Sequence, residues 1–91
     1  MPTDKLYQVY VLQNPAGKFY IGLSEDIQLR LQQHNAGVSK WTKKFLGPWS
    51  IVWSSQWLSL TEARKLENLL KQQKGGGGFY KMTGLIRQSG S

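Results

Sequence analysis

The stretch Tyr7–Leu23, with the sequence YQVYVLQNPAGKFYIGL, predicts two β-strands joined by a tight turn. Residues 14–17, Asn-Pro-Ala-Gly, are typical of a type I turn followed by a left-handed glycine, which closes a three-residue hairpin loop with a bulge. This loop sets the register of the hairpin. Three pairs are expected to lie opposite each other: Asn14 with Lys18, Leu12 with Tyr20, and Tyr10 with Gly22.

The predicted register gives the hairpin one apolar face and one mixed face, because alternate residues of a strand point to opposite sides. The apolar face is a predicted core face and carries Val9, Val11, Phe19, Ile21 and Leu23. On the mixed face Tyr10 and Tyr20 come together, and Gly22 leaves room beside Tyr10. The polar tips of this face are expected to reach water or a partner. Tyrosine is also a good strand former, which is the simpler interpretation of the pair.

The length and composition of the chain limit its organisation. Its 91 residues predict one domain, 1–91, with residues 1–6 and 88–91 as frayed ends. With no cysteine and a single histidine, a disulfide framework, a Cys-ligated zinc site and a multi-histidine metal site are excluded. No signal-like or membrane-spanning run is present, so we expect a soluble cytoplasmic protein with no membrane partner.

The charge balance points to a polyanionic partner. Twelve Lys and Arg against five Asp and Glu give a net charge of +7. On a domain this small, such an excess favours nucleic acid as the partner. A surface charge that only maintains solubility is the alternative.

A first helix is predicted from about Glu25 to Ala36, with Ser24 as its N-cap and Gly37 as its left-handed end. Ile27 and Leu31 mark the inward stripe of this helix. Arg30 and His34 are four residues apart and share a face that borders this stripe, so both point partly inward. Taken singly, His34 is more simply a half-buried histidine and Arg30 a solvated side chain.

The second half of the chain predicts a basic loop, a third strand and two further helices. The loop Val38–Pro48 is followed by a strand at Trp49–Trp57, with Trp49, Ile51 and Trp53 on one face and Val52 on the other. A capping box at Ser59–Glu62 opens the second helix, whose buried stripe is Ala63, Leu66 and Leu70. After residues 75–78, all glycine, a short third helix carries Phe79, Tyr80, Met82, Leu85 and Ile86.

Several basic and aromatic residues are candidates for nucleic-acid contact. Lys40, Trp41, Lys43 and Lys44 interleave charge with an aromatic ring in the loop, a combination that suits phosphate contact and base stacking. Two further lysines near the end of the second helix, Lys71 and Lys74, are predicted to join them. A solvated loop with its aromatic side chains packed into the core is an equal alternative.

Elimination leaves one carboxylate for chemistry. Asp4 lies near the frayed end, Glu25 and Asp26 fit the first helix's dipole, and Glu62 fits the capping box. Glu67 is left, in the middle of a helix, either paired with Lys71 four residues on or serving as a lone ligand for Mg²⁺. A two-metal site is not expected, because the other acids are accounted for.

The ordered set of Tyr10, Tyr20-Ile21-Gly22, Arg30, His34 and Glu67 resembles the GIY-YIG nuclease family, over roughly residues 7–85. The closest resemblance is to small bacterial stand-alone members. Gln8 stands where the first motif has glycine, and no counterpart is found for an asparagine that some members carry beyond the glutamate. The resemblance implies an α/β (α+β) domain in the order β-β-α-β-α-α, with an antiparallel three-stranded sheet flanked by helices.

The resemblance also implies a function: hydrolysis of DNA phosphodiester bonds with one divalent cation, Mg²⁺ or Mn²⁺. The implied catalytic residues are Tyr10, Tyr20, Arg30, His34 and Glu67, and Glu67 is the implied metal ligand. Branched, damaged or single-stranded DNA are candidate substrates, and RNA stays open. The rival hypotheses are a nucleic-acid-binding module that has lost turnover and a structural protein whose aromatic residues only fill the core. The sequence decides neither which tyrosine is the base nor the oligomeric state.

Overall fold

The computed structural model describes residues 5–37, 47–73 and 76–85, and these form an α+β fold in the predicted order β-β-α-β-α-α. Its elements are β1 (Gln8–Gln13), β2 (Phe19–Ser24), α1 (Ile27–Asn35), β3 (Ser50–Ser54), α2 (Leu60–Gln73) and α3 (Gly77–Thr83). The three strands form one antiparallel sheet in the order β2-β1-β3. Most of the predicted basic loop, with Lys40, Trp41, Lys43 and Lys44, lies outside the described residues, and so do Lys74, Ile86 and most of the two ends.

The hairpin has the register that its turn predicts. Tyr10 lies opposite Gly22 and Leu12 opposite Tyr20. Gly17 has a φ of 85°, the left-handed conformation expected at this place in the loop. The buried side chain of Asn14 stabilises the turn, because its Oδ1 accepts hydrogen bonds from the backbone N–H of Ala16 and Lys18 at 3.1 and 2.8 Å.

Both faces of the sheet are covered, which differs from the predicted mixed face. The odd-numbered face packs against Ala63 and Leu70 of α2 and Phe79 of α3, as a core face should. The even-numbered face is a second core, in which Tyr10, Leu12 and Trp49 are buried beneath Ile27 and Leu31 of α1. The polar tip of Tyr10 therefore finds its partner inside the protein rather than in water.

Helix α1 begins two residues later than predicted, and its N-cap is Asp26 rather than Ser24. The Oδ1 atom of Asp26 accepts a hydrogen bond from the Leu29 N–H at 3.1 Å. Ser24 is still paired with Gln8 at the end of β2, so its backbone is committed to the strand. Glu25 precedes the helix and forms an exposed ion pair with Lys5 at 3.8 Å. The C-terminal end is as predicted, with Gly37 at a φ of 81°.

Strand β3 is shorter than predicted, and its faces are divided differently. Leu12 pairs with Ile51 while the preceding Val11 pairs with Trp53, so Val52 is an extra residue in a β-bulge. A bulge reverses the alternation of side chains beyond it. Trp53 consequently packs with Val52 in the odd-numbered core, whereas Trp49 and Ile51 pack beneath α1. The prediction that Trp49, Ile51 and Trp53 share a face was wrong for Trp53.

The second helix follows the sequence pattern, whereas the third is shorter than predicted: α3 ends at Thr83, so Leu85 lies beyond it, and Met82 is exposed rather than packed on the core. The Ser59 hydroxyl accepts a hydrogen bond from the Glu62 N–H at 3.2 Å at the start of α2. Ala63 and Leu70 are fully buried and Leu66 packs beside them. Two of the four glycines, Gly77 and Gly78, form the first turn of α3, whose Phe79 is fully buried.

Candidate active site

A hydrogen bond between Tyr10 of β1 and His34 of α1 lies at the centre of the candidate site. The Tyr10 hydroxyl is 2.9 Å from His34 Nε2, and both residues are at most 2% exposed. The helix spacing places His34 on the side of α1 that faces the sheet, and the strand alternation places Tyr10 on the side that faces α1. The Tyr10–His34 hydrogen bond, between residues 24 apart in the sequence, is therefore buried between β1 and α1.

Tyr20 completes an aromatic group with these two residues. Its ring centroid lies 4.6 Å from that of His34 and 6.2 Å from that of Tyr10. Tyr20 is only partly buried, so of the two tyrosines it is the more accessible from outside the protein. The two tyrosines thus differ in environment, although they belong to neighbouring strands of one hairpin.

Gly22 makes the close packing around Tyr10 possible. A Cβ atom at this position would lie 2.7 Å from the Tyr10 hydroxyl oxygen and 2.9 Å from its ring carbon Cζ. Real Cβ atoms do not approach other atoms so closely, so any side chain here would push Tyr10 away from His34. The expectation that Gly22 leaves room beside Tyr10 is confirmed.

Arg30, one turn before His34 on α1, interacts with the same hydroxyl. Its guanidinium is near enough to lower the pKa of Tyr10, by hydrogen bonding and by its positive charge, and the same charge lowers the pKa of His34. Arginine can only donate, which leaves the Tyr10 proton free to be donated to Nε2 of a neutral His34. On its other side Arg30 Nη1 donates to Gln33 Oε1 at 2.6 Å. Gln33 was not singled out in the sequence, although its i, i+3 spacing from Arg30 is a usable signal.

Burial shifts the pKa values of both hydrogen-bonded groups away from neutrality. The pKa of Tyr10 is raised to about 12, mainly by desolvation and also by Tyr20, while Arg30 opposes the shift. Desolvation also lowers the pKa of His34 to about 4, and the charge of Arg30 acts in the same direction. At pH 7, therefore, Tyr10 keeps its proton and His34 is neutral.

Glu67 reaches this group from α2, the helix that packs on the opposite side of the sheet. Its negative charge raises the pKa of Tyr10, as the smallest of the five contributions to that shift. The side chain of Glu67 is 18% exposed, and its Oε2 lies 3.2 Å from the Lys71 ammonium. Helix α2 packs against β2 and against β1, the strand that carries Tyr10.

The acidic residues suit a single divalent cation of the Mg²⁺ type. Within residues 5–37, 47–73 and 76–85, no three His, Cys, Asp or Glu side chains converge on one point. Mg²⁺ needs few protein ligands, since one or two carboxylates, waters and substrate phosphate oxygens complete its octahedron. The largely buried carboxylate of Glu67, whose charge is felt by Tyr10, fits this pattern.

Of the five side chains that the family resemblance implies as catalytic, the structure groups four: Tyr10, Tyr20, Arg30 and His34. Glu67 belongs to α2, on the other face of the sheet, and is linked to them through the effect of its charge on the pKa of Tyr10. Of the predicted nucleic-acid contacts, Lys71 is half exposed beside Glu67. Lys40, Trp41, Lys43, Lys44 and Lys74 lie outside the described residues, so their contacts stay predictions.

Comparison with known proteins assigns the chain to a family. The model of the GIY-YIG catalytic domain matches residues 6–79. A UPF0213 protein of Vibrio parahaemolyticus is 32% identical over 70 residues, which are 77% of this chain and 66% of that protein. A UPF0213 protein of Yersinia pestis is 31% identical, over 77% of this chain and 74% of its own length. A UPF0213 protein of Aeromonas salmonicida is 34% identical, over 79% of this chain and 53% of its own length. No solved structure matches the chain.

The chain thus spans from about half to three quarters of the length of these relatives. A small α+β sheet domain with paired tyrosines, an arginine, a histidine and a lone glutamate defines a class of nuclease catalytic domains. The chain belongs to the GIY-YIG family. None of the helices in the described part of the chain has the length and apolar character needed to cross a membrane.

Proposed function

We propose that this protein is a divalent-metal-dependent endonuclease that hydrolyses DNA phosphodiester bonds. The observation that supports this most directly is the cluster around the Tyr10 hydroxyl, which contacts His34 at 2.9 Å and interacts with Tyr20, Arg30 and Glu67. Hydrolysis needs an oriented water, positive charge on the phosphate and a place for the metal. The cluster supplies a group for each requirement.

Glu67 is the proposed metal ligand, with substrate oxygens and waters completing the coordination. When bound, Mg²⁺ or Mn²⁺ would neutralise charge on the phosphate and lower the pKa of a coordinated water. Arg30 is the proposed clamp for the non-bridging phosphate oxygens, because its planar guanidinium can donate two parallel hydrogen bonds. Its contacts with Gln33 and Tyr10 hold the guanidinium in place before the substrate arrives.

We assign the contact with the attacking water to Tyr20 and a supporting role to Tyr10. Tyr10 is 1% exposed and its raised pKa of about 12 keeps its proton bound, whereas Tyr20 is partly exposed. In the reaction the water oxygen bonds to phosphorus as the bond from phosphorus to the sugar oxygen breaks. The attacking water, held in contact with the Tyr20 hydroxyl, releases a proton to solvent. The leaving oxygen takes up a proton from solvent. The buried Tyr10–His34 pair holds Tyr20 and Arg30 in position.

The net charge of +7 supports DNA binding by a sequence-independent attraction to phosphates. Lys40, Trp41, Lys43, Lys44, Lys71 and Lys74 are the proposed contacts outside the catalytic cluster. Branched, damaged and single-stranded DNA are the proposed substrates to compare first, with RNA alongside.

Nicking of supercoiled plasmid in the presence of Mg²⁺ or Mn²⁺ tests the proposal. Replacing Glu67 by Gln keeps the size of the side chain but removes the charge that holds the metal, so nicking is expected to fall about a hundredfold or more. Glu62→Gln is the matched control, since Glu62 is an exposed acid on the same helix, and it should nick like the wild type.

The outcomes separate the two functions that the fold allows. Cleavage by the wild type that disappears with chelator and in Glu67→Gln supports the endonuclease. Salt-sensitive DNA binding by all three proteins with no cleavage by any of them, over a panel of duplex, flap, fork, junction and single-stranded DNA, would instead identify a binding module.

A further inference from the structure

The carboxylate proposed to hold the metal is already paired with a cation of the protein. Lys71 Nζ lies 3.2 Å from Glu67 Oε2, one helical turn further along α2. We propose that Lys71 is a built-in competitor for the divalent cation: it holds the Glu67 carboxylate in the metal-free protein and is displaced when the metal binds. This inference rests on the proposed function, in which Glu67 is the metal ligand.

The pairing with Lys71 matters because the other acidic residues in the described part of the chain have other roles. Glu67 is thus the single proposed carboxylate ligand for the metal. In the described part of the chain, Glu25 pairs with Lys5, Asp26 caps α1, and Glu62 lies in the first turn of α2. A divalent ion at Glu67 is therefore attracted by a single negative side chain, whose charge is already offset in part by Lys71. An ammonium and a divalent cation on the same carboxylate repel each other, so the metal binds only at the cost of the ion pair.

The two side chains differ in exposure in the way that a displaceable partner requires. The Glu67 side chain is 18% exposed, whereas the Lys71 side chain is 52% exposed. Lysine carries a compact charge on a flexible stem of four carbons, so its ammonium can swing into solvent without moving the helix. The carboxylate stays in place while the cation leaves.

Displacement would also couple metal binding to substrate binding. After its release from Glu67, the Lys71 ammonium can move only as far as its own side chain allows. It therefore stays near the proposed phosphate position. There it can pair with a phosphate oxygen of the substrate. Lys71 then lowers the affinity for free metal but raises the affinity for DNA once metal is bound.

Titration of the protein with Mn²⁺, with free Mn²⁺ followed by electron paramagnetic resonance, tests this inference without cleavage. Lys71→Met keeps the aliphatic stem and removes the charge, so Mn²⁺ should bind about three- to tenfold more tightly, the range expected for one partly exposed charge. Lys71→Arg should bind like the wild type. Lys65→Met is the matched control on the same helix, an exposed lysine that should leave the affinity unchanged.

The titration separates failure of this inference from failure of the proposed function. An unchanged or weaker Mn²⁺ affinity in folded Lys71→Met, with binding lost in Glu67→Gln, would overturn the role of Lys71 and leave the metal site standing. Binding that Glu67→Gln does not reduce would overturn both. Tighter binding in Lys71→Met that disappears in the double variant with Glu67→Gln supports the inference.

Discussion

At the scale of single residues, the Tyr10–His34 hydrogen bond places two titratable groups in the core, so folding must depend on pH. The pKa of His34 is about 4 in the folded protein and about 6.5 when unfolded. Between these values the unfolded chain binds a proton that the folded protein does not, so stability falls as the pH drops from 6.5 towards 4. The maximum loss is about 3 kcal/mol, since one pKa unit corresponds to about 1.4 kcal/mol.

Urea unfolding at pH 7 and pH 4.5 measures this loss. His34→Gln keeps an acceptor for the Tyr10 hydroxyl but cannot be protonated, so it should lose less stability than the wild type over the same range. Equal losses in the two proteins would show that carboxylates, rather than His34, set the acid limb.

Gly22 gives a second prediction at this scale. Gly22→Ala would place a Cβ atom 2.7 Å from the Tyr10 hydroxyl oxygen, so Tyr10 must shift and its hydrogen bond to His34 must lengthen. We expect a loss of about 1–3 kcal/mol in the free energy of unfolding, as for other overpacked cores. Gly77→Ala is the control, because a Cβ there meets no atom within 4 Å. A Gly22→Ala protein as stable as Gly77→Ala would contradict the packing described around Tyr10.

At the scale of elements, the Asn35 side chain adds two hydrogen bonds to the packing between α1 and the chain that leads into β3. The Asn35 amide donates to the Trp49 backbone carbonyl at 3.0 Å and accepts from the Trp49 N–H at 2.6 Å. Trp49 is 3% exposed, so its N–H has little access to water as a replacement partner. Asn35 thus ties the end of the helix that carries Arg30 and His34 to the start of the third strand.

Asn35→Ala should therefore destabilise the protein by about 2 kcal/mol, because it removes two hydrogen bonds to the backbone of Trp49 at about 1 kcal/mol each. Thermal or urea unfolding measures the change. Gln32→Ala, an exposed position on the same helix, should change stability by less than about 0.5 kcal/mol. Equal stability of the two variants would show that the Asn35 contact contributes nothing.

The same elements show what local sequence can and cannot predict. The hairpin register was predictable because the Asn14–Gly17 turn fixes it within a few residues. The bulge at Val52 was not, because pairing with β1, a strand distant in sequence, decides where the extra residue lies. The cap of α1 was assigned to Ser24 because serine and aspartate are both good caps, and only the continued pairing of Ser24 with Gln8 selects Asp26.

At the scale of the whole molecule, the sheet separates two cores, and the candidate site lies at the one beneath α1. Strand alternation and helix spacing were enough to direct Tyr10, Arg30 and His34 towards one another. The effect of Glu67 on the pKa of Tyr10 could not be predicted from periodicity, because α2 packs on the opposite face of the sheet. The link between Glu67 and Tyr10 depends on how α2 packs on the sheet.

The central claim is that the side chains gathered around Tyr10 act on one backbone phosphate. Loss of Arg30 tests this claim without removing Glu67, the proposed metal ligand. The measurement is the single-turnover rate of plasmid nicking with saturating protein and Mg²⁺, for Arg30→Ala and for Arg64→Ala, an exposed arginine on α2. The account predicts a fall of about a hundredfold or more for Arg30→Ala, with Arg30→Lys intermediate because it keeps the charge and loses the planar fork. Arg64→Ala should stay within about twofold of the wild type. A folded Arg30→Ala protein that nicks at the wild-type rate would contradict the account.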